Sequence, residues 1–599
     1  MTMAQPSGAA TNKVTSPPAL PSNGAPSGPV PLEPGSPAPA AAPGFRETLL
    51  RWGTRLEQFL DFAGDRLNPI LVKEARQSMK SKQFSVTFSL LLILSWLWTA
   101  IFVAFSVPDV FYEAWGIRLL IGYIIILSFP LFIVVPFAAF RSLAAETEDG
   151  TFELLSITSL SARQIVLGKL GSAVLQMMVY YSALAPSIAF TYLLKGVDIV
   201  SIGLLLLHTF VISVVLSIIG LLAATITRAR HWQVLVSVLL IAGLLLATFL
   251  ADYFFIGMAV IGLPFDMPEF WIANLALLNF WTAFGALFLI IAAGQISFAS
   301  ENRSSPIRMM LLLIQTMWIG WMIFLWRWGA EAYCEVFLWM MVYMAAIFWA
   351  IAGALLTGEN AQLSPRAKRN LPQTLIGRIL LTWFNPGSAS GYTFAMLNLG
   401  MVIGTQILVV GNISFFSSPG FQNLPGPLHT AMNSMLIARP LPSDDAWFWA
   451  SLAAWGYVAG YLGTVRLLTS LARKYAPLNM LAVFLLQLVV VIMGAILPFL
   501  FLTIQTIGDP ASWYYSEMQL PNWFWTMWEL TWPTTRITIS KIIPASIFTL
   551  GFLVFLLNLA SAALEVEQVR TLAPARVLQD DASQRPLEPK KKKNPWDEP

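Results

Sequence analysis

Residues 117–140 read Ile-Arg-Leu-Leu-Ile-Gly-Tyr-Ile-Ile-Ile-Leu-Ser-Phe-Pro-Leu-Phe-Ile-Val-Val-Pro-Phe-Ala-Ala-Phe, an apolar run in which Arg118 is the only charged residue. A helix of about 20 such residues crosses the roughly 30 Å hydrocarbon core of a bilayer. Eleven other runs have a similar length, so the sequence predicts about twelve membrane-spanning helices. The twelve runs lie near residues 85–107, 117–140, 170–194, 199–225, 233–255, 271–299, 308–328, 333–356, 391–412, 447–467, 478–504 and 542–564.

The composition agrees with a polytopic membrane protein and excludes most soluble classes. Of the 599 residues, 57% are hydrophobic and 11% are charged, whereas a soluble domain contains about 25% charged residues. The single cysteine, Cys334, cannot form an intrachain disulfide, so a disulfide framework is also excluded. We therefore expect an all-α polytopic membrane protein.

The two ends of the chain differ from this apolar middle. Residues 1–45 are rich in Pro, Ala, Ser and Gly, a composition typical of disordered segments. They lack a basic region followed by an apolar run, so we expect no cleaved signal peptide. Residues 569–599 are polar and include the basic run Lys590–Lys593. We interpret both segments as solvated tails.

The distribution of basic residues predicts the orientation in the membrane. With the N-terminus placed in the cytoplasm, 30 of the 36 Lys and Arg residues fall on the cytoplasmic side, as the positive-inside rule requires. The bias remains 14 to 6 when both long ends are left out. Both termini are therefore expected in the cytoplasm, and Cys334 and residues 413–446 and 505–541 are expected outside.

A short amphipathic segment, Asn68–Lys82, precedes the first predicted span. Asn68 is a good helix N-cap, and Pro69 suits the first helical position. Apolar and basic positions separate onto adjoining faces, as in a helix that lies in the membrane interface. The apolar positions are Leu71, Val72, Ala75 and Met79, and the basic ones are Lys73, Arg76 and Lys80. The alternative is a basic flank of the first span.

The predicted cytoplasmic connection 141–169 is the most informative part of the chain. It is too long for a tight helix–helix loop and too apolar for a simple spacer. Gly150 interrupts it after three acidic residues, and Ser161 and Gln164 have the spacing of a capping box that begins the next helix. The acidic residues are Glu146, Glu148 and Asp149. This pattern predicts a rigid elbow that presents carboxylates and apolar side chains to a partner.

Two segments resemble those of ABC-2-type transporter permeases. Glu148-Asp-Gly-Thr-Phe-Glu-Leu-Leu, followed by Ser159-Leu-Ser-Ala-Arg-Gln-Ile-Val-Leu-Gly-Lys-Leu170, looks like the cytoplasmic loop of that family, and Asn68-Pro-Ile-Leu-Val-Lys-Glu74 resembles its entry helix. Sodium-efflux, multicopper-enzyme-maturation and gliding-motility permeases are the most similar in pattern. The two segments cover about 40 residues, and the six-span arrangement extends the resemblance to roughly residues 46–300.

The resemblance implies the permease subunit of an ATP-driven exporter in a bacterial inner (cytoplasmic) membrane. The segment Glu146–Gly168 is then similar to a coupling helix, which sits in a groove of a cytoplasmic ATPase, and Asn68–Lys82 is similar to an interfacial elbow helix. The implied coupling residues are Glu146, Glu148, Asp149, Gly150, Thr151, Phe152, Glu153, Leu155, Ser161, Arg163 and Gln164, and the implied elbow residues are Asn68, Pro69, Lys73, Glu74, Arg76 and Lys80. ATP and Mg²⁺ are expected on the ATPase dimer, and a second permease chain, the same or related, completes the implied assembly.

The chain is expected to contain two transmembrane regions. Residues 46–300 are predicted to form an ABC-2-type domain with an elbow helix and six spans, and residues 301–568 a second region whose relation to the first stays open. The second region has no other copy of the coupling segment. Thr374–Asn385 is a weak echo of the elbow helix, and Glu359–Arg378 or Arg466–Lys474 is a candidate for a diverged contact with the ATPase.

We expect no catalytic or metal-binding residues in this chain. Gly168-Lys169 is followed by leucine and lacks the upstream glycine of a phosphate-binding loop, so ATP hydrolysis is assigned to a separate subunit. The three histidines are dispersed, which argues against a metal site: His208, His231 and His429. His208 is expected to form a hydrogen bond between helices. The lipid bilayer is the other expected partner, and no nucleic acid is expected.

Polar residues within the spans are few. Asp252, Glu335 and Glu565 are expected near span ends, whereas ion-coupled carriers usually bury carboxylates in mid-membrane. Five glutamines are expected mainly to bond between helices: Gln176, Gln295, Gln315, Gln406 and Gln487. Two alternatives to an ABC-2-type permease are an ion-coupled secondary transporter and a membrane-embedded lipid- or glycan-processing enzyme that uses the aromatic connection 505–541.

Overall fold

The computed structural model describes residues 68–106, 115–148, 161–194, 196–226, 230–297, 302–328, 334–359, 368, 371, 374, 377, 382–416, 446–473, 475, 478, 480–506, 515–531 and 540–569. These residues contain helices and no β-strand. The predicted tails, at 1–45 and beyond residue 569, lie outside the described residues, as does half of Thr374–Asn385.

The first region contains a short helix followed by six long helices. The short helix is α1 (Pro69–Met79). The second long helix contains a π-helical segment, Phe129–Val134, between its two α-helical parts. The long helices are α2 (Lys82–Ser106), α3 (Gly116–Ser128) continued by the π-helix and α4 (Val135–Glu148), α5 (Ala162–Leu193), α6 (Ile199–Thr225), α7 (Arg230–Ile261) and α8 (Pro268–Ile296).

The second region contains six long helices and one short one. The short helix, α14, lies between the last two long helices. The helices are α9 (Ser304–Trp328), α10 (Cys334–Thr357), α11 (Ser388–Phe416), α12 (Ala446–Ala472), α13 (Met480–Gln505), α14 (Trp523–Thr531) and α15 (Ile542–Val569).

Eleven helical segments of the described residues are long and apolar enough to cross a membrane. This confirms an all-α polytopic membrane protein. Twelve spans were expected, and the one that is not among these eleven is the tenth, 447–467. This run forms α12. That helix has 27 residues but is not among the eleven, because tryptophan, tyrosine, glycine and Arg466 lower its apolar character.

Glycines allow α12 to approach α15 closely. A Cβ atom at Gly456 would lie 2.6 Å from the carbonyl oxygen of Ile547, and one at Gly551 would overlap the backbone of Gly456. Helix association inside lipid gains little from the hydrophobic effect, so small residues promote it by bringing backbones together. The two helices therefore make direct backbone contact at these glycines, and beside them Trp455 of α12 packs against Phe548 and Phe555 of α15.

Buried apolar side chains form two larger clusters that meet at α8. The first cluster is built from α2 to α8 and includes Ala292. The second is built from α8 to α15 and includes Leu287. Because α8 contributes to both clusters, it joins the two regions that the sequence divides near residue 300.

Polar side chains within the spans behave mostly as expected. Three of the five glutamines bond between helices, which confirms their prediction. The pairs are Trp349 Nε1 to Gln315 Oε1 at 2.6 Å, Gln406 Nε2 to Leu338 O at 3.1 Å, and Gln487 Nε2 to Thr357 Oγ1 at 2.9 Å. His208 differs, because its Nδ1 lies 2.8 Å from the carbonyl oxygen of Leu204, one turn earlier in the same helix.

Of the carboxylates expected near span ends, Glu565 lies there, at the end of the span Ile542–Glu567, whereas Asp252 lies farther from the end of its helix. Helix α7 continues beyond Asp252 as far as Ile261, about 13 Å at 1.5 Å per residue. Asp252 therefore lies farther from the helix end than the predicted run 233–255 placed it, because the helix outruns that apolar stretch. Glu565 is paired with Arg466 at 2.9 Å. The side chain of Glu335 lies outside the described residues.

Candidate functional site

Helix α1 forms where the sequence predicts the elbow helix. The Asn68 Oδ1 accepts a hydrogen bond from the Ile70 amide at 3.1 Å, and Pro69 occupies the first turn. The helix ends at Met79, before the expected boundary at Lys82. It ends there because Ser81 caps α2, accepting a hydrogen bond from the Phe84 amide at 3.1 Å.

The buried face of α1 rests on α5. Its two buried residues are Ile70 and Glu74, whereas Met79, expected on the apolar face, is 38% exposed. A Cβ atom at Gly168 of α5 would lie 2.9 Å from the side chain of Ile70. The absence of a side chain at this glycine therefore permits α1 to lie directly against α5.

A buried lysine joins α1, α4 and α5. Lys169 is 1% exposed, and its Nζ lies 3.0 Å from Glu74 Oε1 and 3.0 Å from Glu146 Oε1. It also donates to the carbonyl oxygen of Ser142 at 3.1 Å. An ammonium group has three donors, and these three acceptors satisfy them. We call Glu74, Glu146 and Lys169 the first charge cluster.

A further lysine balances the charge of this cluster. One ammonium group cannot neutralise two carboxylates, whose side chains are 10% and 13% exposed. Lys73 of α1 lies 4.0 Å from Glu146 and is 63% exposed. It supplies the second positive charge from the solvent side, so α1 is bonded to the end of α4 both directly and through Lys169.

The N-cap of α1 also contacts the last part of the predicted coupling segment. Ser161 and Gln164 form the expected capping box: the Gln164 amide donates to Ser161 Oγ at 3.3 Å, and the Ser161 amide donates to Gln164 Oε1 at 2.9 Å. The Nδ2 of Asn68 donates to the carbonyl oxygen of Gln164 at 2.5 Å. Glu146 at the start of the segment and Gln164 near its end are therefore both bonded to α1 or its N-cap.

The middle of the coupling segment lies outside the described residues. The residues concerned are Asp149, Gly150, Thr151, Phe152, Glu153 and Leu155, together with the side chain of Glu148. Arg76, Lys80 and Arg163 are exposed. The structure thus brings together Asn68, Lys73, Glu74, Glu146 and Gln164, and it leaves the other described members of the predicted set at the surface.

Sequence reasoning missed Lys169 as the centre of this site. It treated Gly168-Lys169 only as an incomplete phosphate-binding motif. The available signal was a single cation inside the apolar helix start Ile165–Leu170, since an ionisable residue at that depth needs a partner. The identity of the partner was not readable, because Glu74 lies 95 positions away in the chain.

A second group of buried charges lies at helix ends in the second region. Arg308 of α9 is 0% exposed on its side chain, and its Nη2 donates to Glu359 Oε2 at 2.7 Å. Arg466 of α12 is 1% exposed, and its Nη2 donates to Glu565 Oε2 of α15 at 2.9 Å. We call Arg308, Glu359, Arg466 and Glu565 the second charge cluster.

The start of α11 links the two ion pairs of the second charge cluster. Ser390 Oγ accepts a hydrogen bond from Arg308 at 3.3 Å. Glu565 Oε2 accepts from Ser388 Oγ and from the Ala389 amide, each at 3.2 Å. The cluster therefore holds the starts of α9 and α11 together with the ends of α10, α12 and α15.

Two segments were considered for a diverged ATPase contact, Glu359–Arg378 and Arg466–Lys474. Each contributes a residue to the second charge cluster. Glu359 and Arg466 are cluster members, and Arg473 donates to the carbonyl oxygen of Gly358 at 2.9 Å. Most of residues 360–381 lie outside the described residues. With alternating spans, both charge clusters fall at the helix ends that the sequence predicts to be cytoplasmic.

Among the described residues, no three His, Cys, Asp or Glu side chains are grouped as a metal ion would require. Lys169, Arg308 and Arg466 are instead neutralised by carboxylates within the chain. Comparisons of the chain with protein-family models, with curated proteins and with solved structures give no match. The interpretation of the site therefore rests on its own geometry and on the sequence segments quoted above.

Proposed function

We propose that this chain is the transmembrane permease subunit of an ATP-driven ABC-2-type exporter, coupled to a separate cytoplasmic ATPase through residues 146–168. One observation carries the proposal: α1 and its N-cap are bonded to this segment at two separate places. Lys73 pairs with Glu146 at its start, and Asn68 donates to Gln164 near its end. Such an arrangement suits a segment that must transmit force to the membrane helices.

The first charge cluster supplies a route for that force. Glu146 ends the second span and Lys169 begins the third, and Glu74 connects both to α1. Breaking a buried ion pair by removing one partner typically costs about 3–5 kcal/mol. A displacement of the loop by the closing ATPase dimer would therefore move α1, α4 and α5 together rather than bend the connections between them.

The proposal divides the chemistry between subunits. ATP and Mg²⁺ bind the ATPase dimer, and this chain supplies docking and force transmission. An ATPase dimer presents two grooves, whereas this chain has one segment of the quoted pattern. Two permease chains, the same or related, therefore complete the assembly in a bacterial inner membrane, unless the rim around the second charge cluster provides the other contact.

Purification of the native assembly from bacterial membranes tests the proposal. We expect Mg²⁺-dependent ATP hydrolysis by a separate subunit that contains a phosphate-binding loop, and a mass that corresponds to two permease chains for each ATPase dimer. One permease chain for each dimer would contradict the two-permease arrangement. An intact assembly that contains no ATPase subunit would contradict the proposed function itself.

A further inference from the structure

Asp252 places a carboxyl group against the middle of the second span. Its Oδ2 lies 3.0 Å from the Oγ of Ser128, the last residue of α3. Ser128 is 1% exposed. The other oxygen, Oδ1, is buried and has no hydrogen-bond partner among the described residues. The carboxyl group therefore depends on one hydroxyl for its hydrogen bonding.

The same hydroxyl faces a second acceptor. Ser128 Oγ lies 2.8 Å from the carbonyl oxygen of Ile125. Pro130 follows in the π-helix, and proline has no amide hydrogen to donate to the preceding turn. That missing donor belongs to the carbonyl of Ile126, four residues before Pro130, so the contact of Ser128 Oγ with Ile125 O is a serine back-bond to its own helix.

Counting hydrogens decides the state of this group. A serine hydroxyl has one hydrogen, and it cannot serve Ile125 O and an ionised Asp252 at once. If Asp252 carries a proton, it donates to Ser128 Oγ while Ser128 donates to Ile125 O, and both contacts are satisfied. A lone carboxylate inside hydrocarbon would also be costly to keep ionised.

The charged and titratable groups on the surrounding helices have other partners or positions. Helix α7 packs against α3, the π-helix, α4 and α6. On these elements and beside Asp252 on α7, the described titratable side chains are Arg118, Tyr123, Arg141, Glu146, His208 and Tyr253. Arg118 lies over the ring of Trp115, Tyr123 bonds Thr99, Glu146 pairs with Lys169, and His208 bonds Leu204. Arg141 and Tyr253 are exposed.

We propose that Asp252 and Ser128 form an intramembrane proton-binding site whose occupancy sets the geometry of the second span. Proton release breaks the O–H bond of Asp252 and passes the proton to water. The Ser128 hydroxyl then turns to the carboxylate, and its back-bond to Ile125 O beside the π-helix is lost. The second span ends at Glu146, so the site lies in the helix that carries the first charge cluster. This proposal does not depend on how transport is driven.

Infrared difference spectroscopy of the full chain in lipid bilayers tests the proposal. At neutral pH we expect a protonated carboxylic-acid band that shifts when the protein is labelled with ¹³C-aspartate. The band should be lost in Asp252→Asn and move to higher frequency in Ser128→Ala, which removes a hydrogen-bond partner. Glu517→Gln, at an exposed site in the 3₁₀ turn Glu517–Gln519, is the control and should leave the band unchanged.

Two outcomes would overturn the proposal. One is a wild-type protein without an aspartic-acid band at neutral pH, since Asp252 would then be ionised. The other is a band that persists in Asp252→Asn. The label shift in the wild type needs no substitution, so the test does not depend on the folding of a variant. Asp252→Asn is nevertheless expected to fold as the wild type does, because a neutral amide resembles the neutral acid.

Discussion

The two charge clusters join their helices through different cations. The first is built on Lys169 of α5, whose three donors are taken up by two neighbouring elements, α1 and α4. The second is built on Arg308 and Arg466, whose planar groups join five helices of the second region. A guanidinium group spreads its donors in a rigid fork, whereas an ammonium group is a compact point charge.

This difference indicates which cluster is suited to move. The first charge cluster includes an exposed residue, Lys73, and flanks a loop that connects two spans. The second charge cluster has no such solvent-facing cation, and its arginines are almost completely buried. We therefore interpret the first as a connection that transmits displacement, and the second as a fixed joint of the second region. The predictions below test this contrast.

The largest effect is expected from Arg308→Met. After this substitution Glu359 still accepts a hydrogen bond from the Ser304 hydroxyl at 3.0 Å, but it has lost the buried cation that neutralised it. Loss of one partner of a buried ion pair should lower the free energy of unfolding by about 3–5 kcal/mol. Unfolding in mixed micelles measures this change. Arg76→Met, at an exposed position of α1, is the matched control, and equal effects of the two variants would show that the second charge cluster is no fixed joint.

A smaller loss of stability is expected from Lys169→Met. Glu74 and Glu146 then face each other, but a second cation, Lys73, remains beside Glu146. We expect a loss of about 1–3 kcal/mol. Adding Glu74→Gln should restore part of it, because it removes the repulsion between the carboxylates. A double-mutant cycle measures the coupling, and additive effects would contradict a shared cluster.

The parts of the structure that follow from local sequence were predictable. Apolar run length specified eleven of the spans, and the capping box of Ser161 and Gln164 is contained within four residues. The partners of Lys169 were not predictable, because pairing with Glu74 depends on how α1 lies against α5. The distance of Asp252 from the end of its helix was also not predictable, since α7 extends beyond its most apolar stretch to Ile261.

A modest effect is expected from Gly168→Ala. The added Cβ would lie 2.9 Å from the Ile70 side chain, so α1 must shift away from α5. Overpacking of this kind should cost about 1 kcal/mol, the lower end of its usual range, because α1 lies at the edge of the structure. Gly320→Ala is the control, since nothing lies within 4 Å of its Cβ position. A larger loss in the control than in Gly168→Ala would contradict close packing of α1.

The comparison also requires both clusters to face the cytoplasm, and labelling tests this without changing stability. In a Cys334→Ser background, single cysteines replace Arg76, near the first cluster, and Asn302, near the second. Glu517→Cys reports the opposite side, and all three positions are exposed. A membrane-impermeant thiol reagent applied to intact cells should label only Glu517→Cys. Labelling of either of the other two would reverse the predicted orientation of that region.

The most direct test of the central claim is a charge reversal in the coupling segment. Glu153→Arg should replace an attractive contact with the ATPase by a repulsive one, at a cost of about 2–5 kcal/mol, which weakens docking about 30-fold or more. The measurement is the amount of ATPase that copurifies with the chain and the ATP hydrolysis it performs, with Glu517→Arg as the control on the opposite side. The account predicts that both quantities fall together in Glu153→Arg while expression and the control stay at the wild-type level. Full association and full hydrolysis in Glu153→Arg would contradict coupling through residues 146–168.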